Sequence, residues 1–333
     1  MDYSQRLLTP YRTSKTDSGA RKPRKAVMIG AGMVGMAGCY SMIIEHSIEE
    51  LVIIDLLKEK VEAEVLDLQH GLPLISHMII RGGDYADCAG ADIVIITAGA
   101  KQAPGQPRLE LAQINVNILK KMIPEIVKYA PEAIILMVTN PVDVLTYVAW
   151  KISGKPRETV IGSGTVLDSS RFMRLLGNKL GLDGSSLQAY ILGEHGDSSF
   201  AYWSGVTVGG TRIFPKGIEG LPEAERAELT QVYDDARRAA YDIIAKKGYT
   251  SWAIGISTNE IVKAIFEDRN RVLPVSTCVD NFLGVDDVCL SLPMVVNHHG
   301  AVGRINVEMT PAEVEKLRHS CQTIKQTIKT VGF

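Results

Sequence analysis

The chain lacks any CxxC pair and any Cys/His pair at metal-ligand spacing, and its five cysteines (Cys39, Cys88, Cys278, Cys289 and Cys321) are scattered. No zinc site and no disulfide framework is expected, so the metal expectation is none and the thiols read as reduced and mostly buried. An apolar run of the ~18 residues needed to span a bilayer is also missing. Each hydrophobic stretch is cut by Gly, Asp, Pro or a charge. Excess charge is absent too, with Lys+Arg 36 against Asp+Glu 38 and a formal net charge of −2. That balance argues against nucleic acid as a partner and fits a soluble cytoplasmic enzyme. The first 25 residues carry seven Lys/Arg against Asp2 and Asp17 and have no apolar core of a secretory signal. An organelle transit peptide shares that composition. The plainer expectation is a flexible N-terminal extension over 1–24, or an arm that touches another subunit.

What is present is length and alternation. At 333 residues the chain has room for about two domains. From residue 26, short aliphatic runs alternate with longer stretches of helical spacing, the pattern of a parallel sheet covered on both faces. Strands are expected at 26–30, 51–55, 92–98, 133–139 and, more weakly, 159–162. Helices are expected at 33–47, 57–70, 109–129 and 141–153, with Pro141 in the first helical turn. After about residue 164 the pattern becomes mixed: a helix at 167–181, extended chain at 187–192, a strand at 203–208, and a long helix from Pro222 to Lys247. Strands near 270–278 and 285–296 follow. The final helix is announced by Thr310-Pro311-Ala312-Glu313, a capping box with Pro at the first position, and by Val314, Leu317, Cys321, Ile324 and Ile328 on one face.

Gly30-Ala31-Gly32-Met33-Val34-Gly35 follows the first strand directly and opens a helix, the context in which GxGxxG binds a dinucleotide. Gly30 permits the turn, Gly32 lets backbone approach a pyrophosphate, and Gly35 lets helix pack on strand. Asp55 ends the second strand, where its carboxylate can accept from both ribose hydroxyls and repel a 2′-phosphate, so NAD is expected over NADP. Thr97-Ala98-Gly99-Ala100 and Val138-Thr139-Asn140 follow later strands and should line the crevice at the carboxyl ends of the sheet.

A second constellation carries acid–base chemistry. His195, in Gly193-Glu194-His195-Gly196-Asp197, lies in a glycine-flanked loop after an apolar strand, and an imidazole near neutrality can donate and accept a proton. Asp168 could accept from the other ring nitrogen. Arg171, three residues further along a helix, would share its face and grip a carboxylate bidentately. Lys101 to Arg108 is rich in Pro and Gly and reads as a loop that could close, over 100–111, with Arg108 at its far end placed to polarise a carbonyl. Each of these residues alone is more often structural or solvated; together they describe a site. His298-His299, an adjacent pair, cannot aim both imidazoles at one metal from a regular strand and reads as surface.

In order, GAGMVG, Asp55, TAGAKQ, Arg108, TNPVD, DSSR, GEHGDSS and GYTSWAIG resemble the L-lactate/malate dehydrogenase family over nearly all of residues 25–333. The resemblance implies a Rossmann-type doubly wound α/β domain at 25–163, a mixed α/β substrate domain at 164–333, NAD as cofactor, and a homo-oligomer, typically a tetramer. It implies His195 as acid/base, Asp168 as its partner, Arg171 as carboxylate anchor, Arg108 as polariser, Asn140 as a donor to substrate oxygen and to the cofactor site, and Thr250 as a pocket residue. Cofactor contacts fall on Gly30, Gly32, Met33, Val34, Gly35, Asp55, Thr97, Ala98, Gly99, Lys101, Val138 and Asn140. Lys101 stands where many relatives have Arg, keeping the charge without the fork. Malate enzymes carry Arg at the position of Gln102 to pair a second carboxylate. Neutral Gln102 would leave that carboxylate without a counter-ion, at a cost of several kcal/mol, and so favours pyruvate and L-lactate. Alternatives kept open are a malate or other 2-hydroxy-acid enzyme, and an idle NAD-binding protein. The Arg and His that bind fructose 1,6-bisphosphate in activated bacterial relatives are replaced by Met173 and Gln188, so no activation through that site is expected.

Overall fold

The computed structural model describes residues 22–75, 77–100 and 108–333, the side chain of Arg108 apart. Residues 1–21 of the N-terminal extension, Lys101 and Gln102 therefore lie outside the described residues, whereas Arg24 is tied down, its N–H donating to Glu49 at 2.8 Å.

The first half runs β1 (Lys25–Ile29), α1 (Met33–Ile44), β2 (Glu50–Ile54), α2 (Lys58–Gly71), β3 (Ile79–Gly82), β4 (Ile93–Ile96), α3 (Arg108–Tyr129), β5 (Ile134–Met137), α4 (Val142–Ser153) and β6 (Val160–Gly162). The strands are short and aliphatic because both sheet faces are covered: Ile93, Val94, Ile95 and Ile96 of β4 are all fully buried. Each such side chain contributes about 1.5–3 kcal/mol relative to exposure. All six strands pair in parallel in the order β6-β5-β4-β1-β2-β3. The chain reverses its direction of travel between β1 and β4, and that gap is where a crevice opens beyond the strand ends.

The second half runs α5 (Val166–Leu180), β7 (Leu187–Gln188), β8 (Ile191–Leu192), β9 (Phe200–Ala201), β10 (Thr207–Val208), β11 (Thr211–Arg212), α6 (Glu223–Lys247), α7 (Trp252–Phe266), β12 (Arg271–Val279), β13 (Val288–Asn297), β14 (Gly300–Arg304) and α8 (Pro311–Thr330). The long β12 and β13 pair antiparallel and join the parallel sheet through Ser276 opposite Gly162, so one nine-stranded sheet, β14-β13-β12-β6-β5-β4-β1-β2-β3, crosses both halves. A smaller apolar cluster around Phe172, Trp203 and Phe214 packs α5 and α6 together, with edge-on rings 5.0 and 5.5 Å apart.

Several expectations are corrected. Residues 203–208 are not one strand: Trp203–Gly205 form a tight 3-10 turn before the two-residue β10. Both Trp203 and Val206 are buried there, so the run is apolar through packing rather than through strand alternation. Pro141 does not enter the helix; it is the extended residue that precedes Val142. Residues 108–111 belong to the first turn of α3, so the loop expected over 100–111 ends earlier. β3, α7 and β14 were not expected. α7 is hidden by Gly255 in its interior, which is needed because a Cβ there would lie 2.5 Å from the Ala37 backbone of α1. The capping box at Thr310 and Glu313 is formed, and Leu317, Cys321, Ile324 and Ile328 are buried in the main core.

Candidate active site

The crevice between β1 and β4 is built from main chain. Gly30 leaves β1 at φ +112°, a conformation that favours glycine, and its N–H donates to the Ile54 carbonyl at 2.8 Å. A Cβ on Gly35 would lie 1.9 Å from the Gly30 oxygen, so only glycine lets α1 start this close to the turn. A Cβ on Gly32 would meet nothing within 4 Å. That open face is where a bulky ligand has room to reach backbone N–H groups. Gly32 caps α1 without a side-chain hydrogen bond, leaving the first-turn amides of Met33, Val34 and Gly35 to attract an anion.

Asp55 follows β2 and accepts from Ala31 N–H at 2.7 Å through one oxygen and from Leu57 N–H at 3.0 Å through the other. Each oxygen keeps a lone pair for a hydroxyl. Thr97 follows β4 and donates to the Gly30 carbonyl at 2.9 Å, tying the two crevice walls together. Ala98 accepts from the Thr139 hydroxyl at 2.8 Å. The buried Asn115 of α3, which sequence reasoning missed, accepts from Ala100 N–H at 2.8 Å and donates to the Asn140 carbonyl at 2.9 Å. It stitches the Gly99 turn to the Asn140 turn. The Asn140 side chain is exposed and Val138 is buried behind it.

Beyond β8, the loop carrying His195 is clamped at successive residues. Gly193 adopts φ +88° and exchanges two hydrogen bonds with Ser291 of β13, at 3.0 and 2.9 Å. Glu194 N–H donates to the Ser320 hydroxyl of α8 at 2.9 Å, and His195 N–H donates to Asp143 of α4 at 2.6 Å. The imidazole Nδ1 stands 2.5 Å from Oδ2 of Asp168, and Arg171 donates to the other Asp168 oxygen at 3.0 Å. Asp168 and Arg171 lie three residues apart in the first two turns of α5, which puts them on one face.

The electrostatics follow from that trio. The Asp168 charge raises His195 to about 9, against burial, which acts the other way. Burial alone would raise Asp168, but His195 and Arg171 together outweigh it and hold the carboxylate below its usual range. Asp143, 1% exposed, is pushed up to about 7 by burial, against the hydrogen bonds from Ser276 and His195. Asp143, Ser291 and Ser320 were not anticipated as site residues; the only signal was that TNPVD places an acid inside an otherwise apolar helix. Thr250 is half-buried in the link between α6 and α7, with no hydrogen bond to His195 among the described residues. Arg108 opens α3, while Gln102 and Lys101 fall outside the described residues. His298 and His299 are exposed in the turn between β13 and β14, with rings 3.7 Å apart and His298 against Asp268. Among the described residues no group of three or more His, Cys, Asp or Glu is placed to hold a metal ion, and no helix is long and apolar enough to cross a membrane.

A glycine turn with an open face, and a carboxylate-paired imidazole carried on elements packed against the same nine-stranded sheet, are the parts a dinucleotide-binding oxidoreductase needs. Comparison with known proteins specifies the class. The lactate/malate dehydrogenase NAD-binding domain family matches residues 24–162, and the lactate/malate dehydrogenase alpha/beta C-terminal domain family matches residues 165–332. The chain belongs to the lactate/malate dehydrogenase family, and it is an oxidoreductase. It is 47% identical over 312 residues to an L-lactate dehydrogenase of Gloeobacter violaceus, covering 93% of this chain and 94% of that one. It is also 47% identical over 306 residues to an L-lactate dehydrogenase A chain of Lycodichthys dearborni, covering 90% and 91%. Among solved structures, minor L-lactate dehydrogenase from Enterococcus mundtii superimposes with a TM-score of 0.88 at 39% identity, over 93% of this chain and 99% of that one.

Proposed function

We propose that the protein is an NAD-dependent L-lactate dehydrogenase that interconverts pyruvate and L-lactate in the cytoplasm, acting as a homotetramer. The observation that carries the reading is the Arg171–Asp168–His195 trio, a guanidinium 3.0 Å and an imidazole 2.5 Å from one buried carboxylate.

The residues of the crevice fit NAD: Gly32 offers the open face to the pyrophosphate, the first-turn amides of α1 meet its charge, and Asp55 has acceptor capacity for both ribose hydroxyls. A 2′-phosphate beside Asp55 would meet a like charge. Thr97, Ala98, Gly99, Val138 and Asn140 would contact the cofactor, and Lys101, outside the described residues, would supply a cation for its phosphates. When bound, the nicotinamide supplies the hydride for the keto carbon or takes it back from the hydroxy carbon.

The protein's part is to hold the substrate and move the proton. Asp168 occupies Nδ1 of His195, which leaves Nε2 as the donor to the keto oxygen and, in reverse, as the acceptor from the hydroxyl. With the imidazole raised to about 9, the protonated form required for pyruvate reduction dominates near neutrality. Arg171, anchored to Asp168 through one N–H, has further N–H groups with which to grip the substrate carboxylate. Arg108 would polarise the carbonyl, Asn140 would donate to the same oxygen, and Thr250 would line the pocket. Gln102 would leave a second substrate carboxylate unpaired.

The test is kcat/KM for NADH oxidation with pyruvate, oxaloacetate and 2-oxoisocaproate in parallel. Preference for pyruvate is the expected result; preference for oxaloacetate overturns the substrate assignment while leaving the proton chemistry intact.

A further inference from the structure

A carboxylate that the proposed chemistry does not use lies directly beneath the catalytic loop. Asp143 belongs to the first turn of α4, where its neighbours Val142, Val144 and Leu145 are buried in the core. An aliphatic residue would satisfy that packing, and a carboxylate taken out of water is costly unless hydrogen-bonded. Both of its oxygens are engaged. Oδ2 accepts the main-chain N–H of His195 at 2.6 Å, and Oδ1 accepts the hydroxyl of Ser276, itself fully buried on β12, at 2.6 Å. No Lys or Arg forms an ion pair with Asp143 among the described residues, so the cation its charge meets is the imidazolium of His195.

Resting on the reading of His195 as proton donor, we propose that Asp143 is a positioning residue for proton transfer, holding the His195 main chain and setting a buried carboxylate beneath it. Asp168 orients the imidazole by its Nδ1; Asp143 sets where the backbone under that ring stands. The two functions of Asp143 are chemically separable. An amide oxygen would accept the same N–H, and an amide NH2 would donate to Ser276, so Asp143→Asn keeps the hydrogen-bonded frame and removes the charge. Asp143→Ala removes both. The charged and titratable groups that face this pair are Asp168 and Arg171 from α5, Glu194 from the loop itself, and the Cys289 thiol from β13. Of these, Asp168 raises the imidazole and Arg171 opposes it, and both are unchanged in either variant.

The sign is fixed by the charge. Pyruvate reduction needs protonated His195, so kcat/KM falls as pH rises through the imidazole pKa, and loss of the Asp143 charge moves that descending limb to lower pH. Expected for Asp143→Asn are NADH affinity within about twofold of wild type and a downward-shifted limb. Expected for Asp143→Ala is in addition a kcat lowered by roughly tenfold or more, within the range that acid–base positioning commands. Ser276→Ala should shift the limb the same way by less, because it withdraws a hydrogen bond that favours the ionised carboxylate, and it decides the matter if both Asp143 variants fail to fold. Profiles of the variants that superimpose on wild type, with only melting temperature lowered, would reduce Asp143 to a structural role and overturn the proposal. His195→Gln separates the two readings: if the limb persists in its residual activity, His195 is not the titrating donor. If the limb vanishes there while Asp143→Asn and Ser276→Ala leave it in place, only the role of Asp143 fails.

Discussion

Nδ1 of His195 and Oδ2 of Asp168 lie 2.5 Å apart although 27 residues separate them in the chain, and this contact dominates the charge state of the site. Its consequence is a pH profile. The carboxylate raises the imidazole from 6.5 to about 9, so pyruvate reduction should hold steady through neutral pH and decline as pH rises through about 9, with lactate oxidation rising over the same window. Asp168→Asn should bring the declining limb down toward neutrality and lower kcat by roughly 10²–10⁴, the usual share of general acid–base catalysis. An unshifted limb in that variant would detach Asp168 from the titration.

The same contact links stability to pH. A group whose folded value is raised contributes stability that is fully present below its unfolded value and is lost as pH climbs through the folded one, here from 6.5 to about 9 for His195. Seen from the other partner, Asp168 is lowered, so its contribution is present above 3.8 and lost as pH falls through its depressed value. These are two ends of one pair and not separate contributions. Melting temperatures of wild type and Asp168→Asn should therefore diverge most between the two limits, converge in acid, and draw closer without meeting above about 9, where the Asp168–Arg171 pair remains. A constant difference across pH would show that the pair does not govern this linkage.

Arg171 donates through one N–H to Asp168, which orients the guanidinium for a carboxylate. Arg171→Lys keeps charge but loses the planar fork, forfeiting a charged hydrogen bond of about 1.5–3 kcal/mol, or roughly 10–100-fold in pyruvate KM. NADH affinity measured by fluorescence titration should hardly change. Equal losses in both would move Arg171 out of the substrate pocket.

Two glycines of the same six-residue motif should fail differently. Gly35→Ala puts a Cβ 1.9 Å from the Gly30 oxygen, a main-chain clash that relaxation of a side chain cannot relieve, so melting temperature should fall with a cost of about 1–3 kcal/mol or more. Gly32→Ala meets nothing within 4 Å in the protein itself, so its fold should be unharmed while NADH binding weakens. A Gly32→Ala protein with native NADH affinity would place the pyrophosphate elsewhere.

Asp55 already accepts from Ala31 and Leu57, so its replacement tests two things at once. Asp55→Asn should loosen NADH and narrow the discrimination against NADPH, since the like charge opposing a 2′-phosphate is gone. Steady-state kcat/KM with both nucleotides measures it, and unchanged discrimination would remove Asp55 from the ribose site.

The features legible in the residues alone were those whose cause is local. GAGMVG needs only its own turn to explain its glycines, Asp55 sits at a strand end that its neighbours define, and Thr310 finds Glu313 within a single helical turn. Aliphatic runs such as Ile93–Ile96 declare a covered strand because no other surface would accept them. Tertiary structure decided what distant segments do to one another. Asp143 meets His195 across 52 residues and Ser276 across 133, and Glu194 meets Ser320 across 126; no period or spacing in the chain records such pairs. The helix at Trp252–Phe266 was hidden for the same reason, its interior Gly255 being explained only by the backbone of α1 against which it lies. Sequence by itself determined the class of chemistry, because that rests on which side chains are present. Only the fold decided their proton affinities, because a charge acts through the distance and burial that folding alone creates.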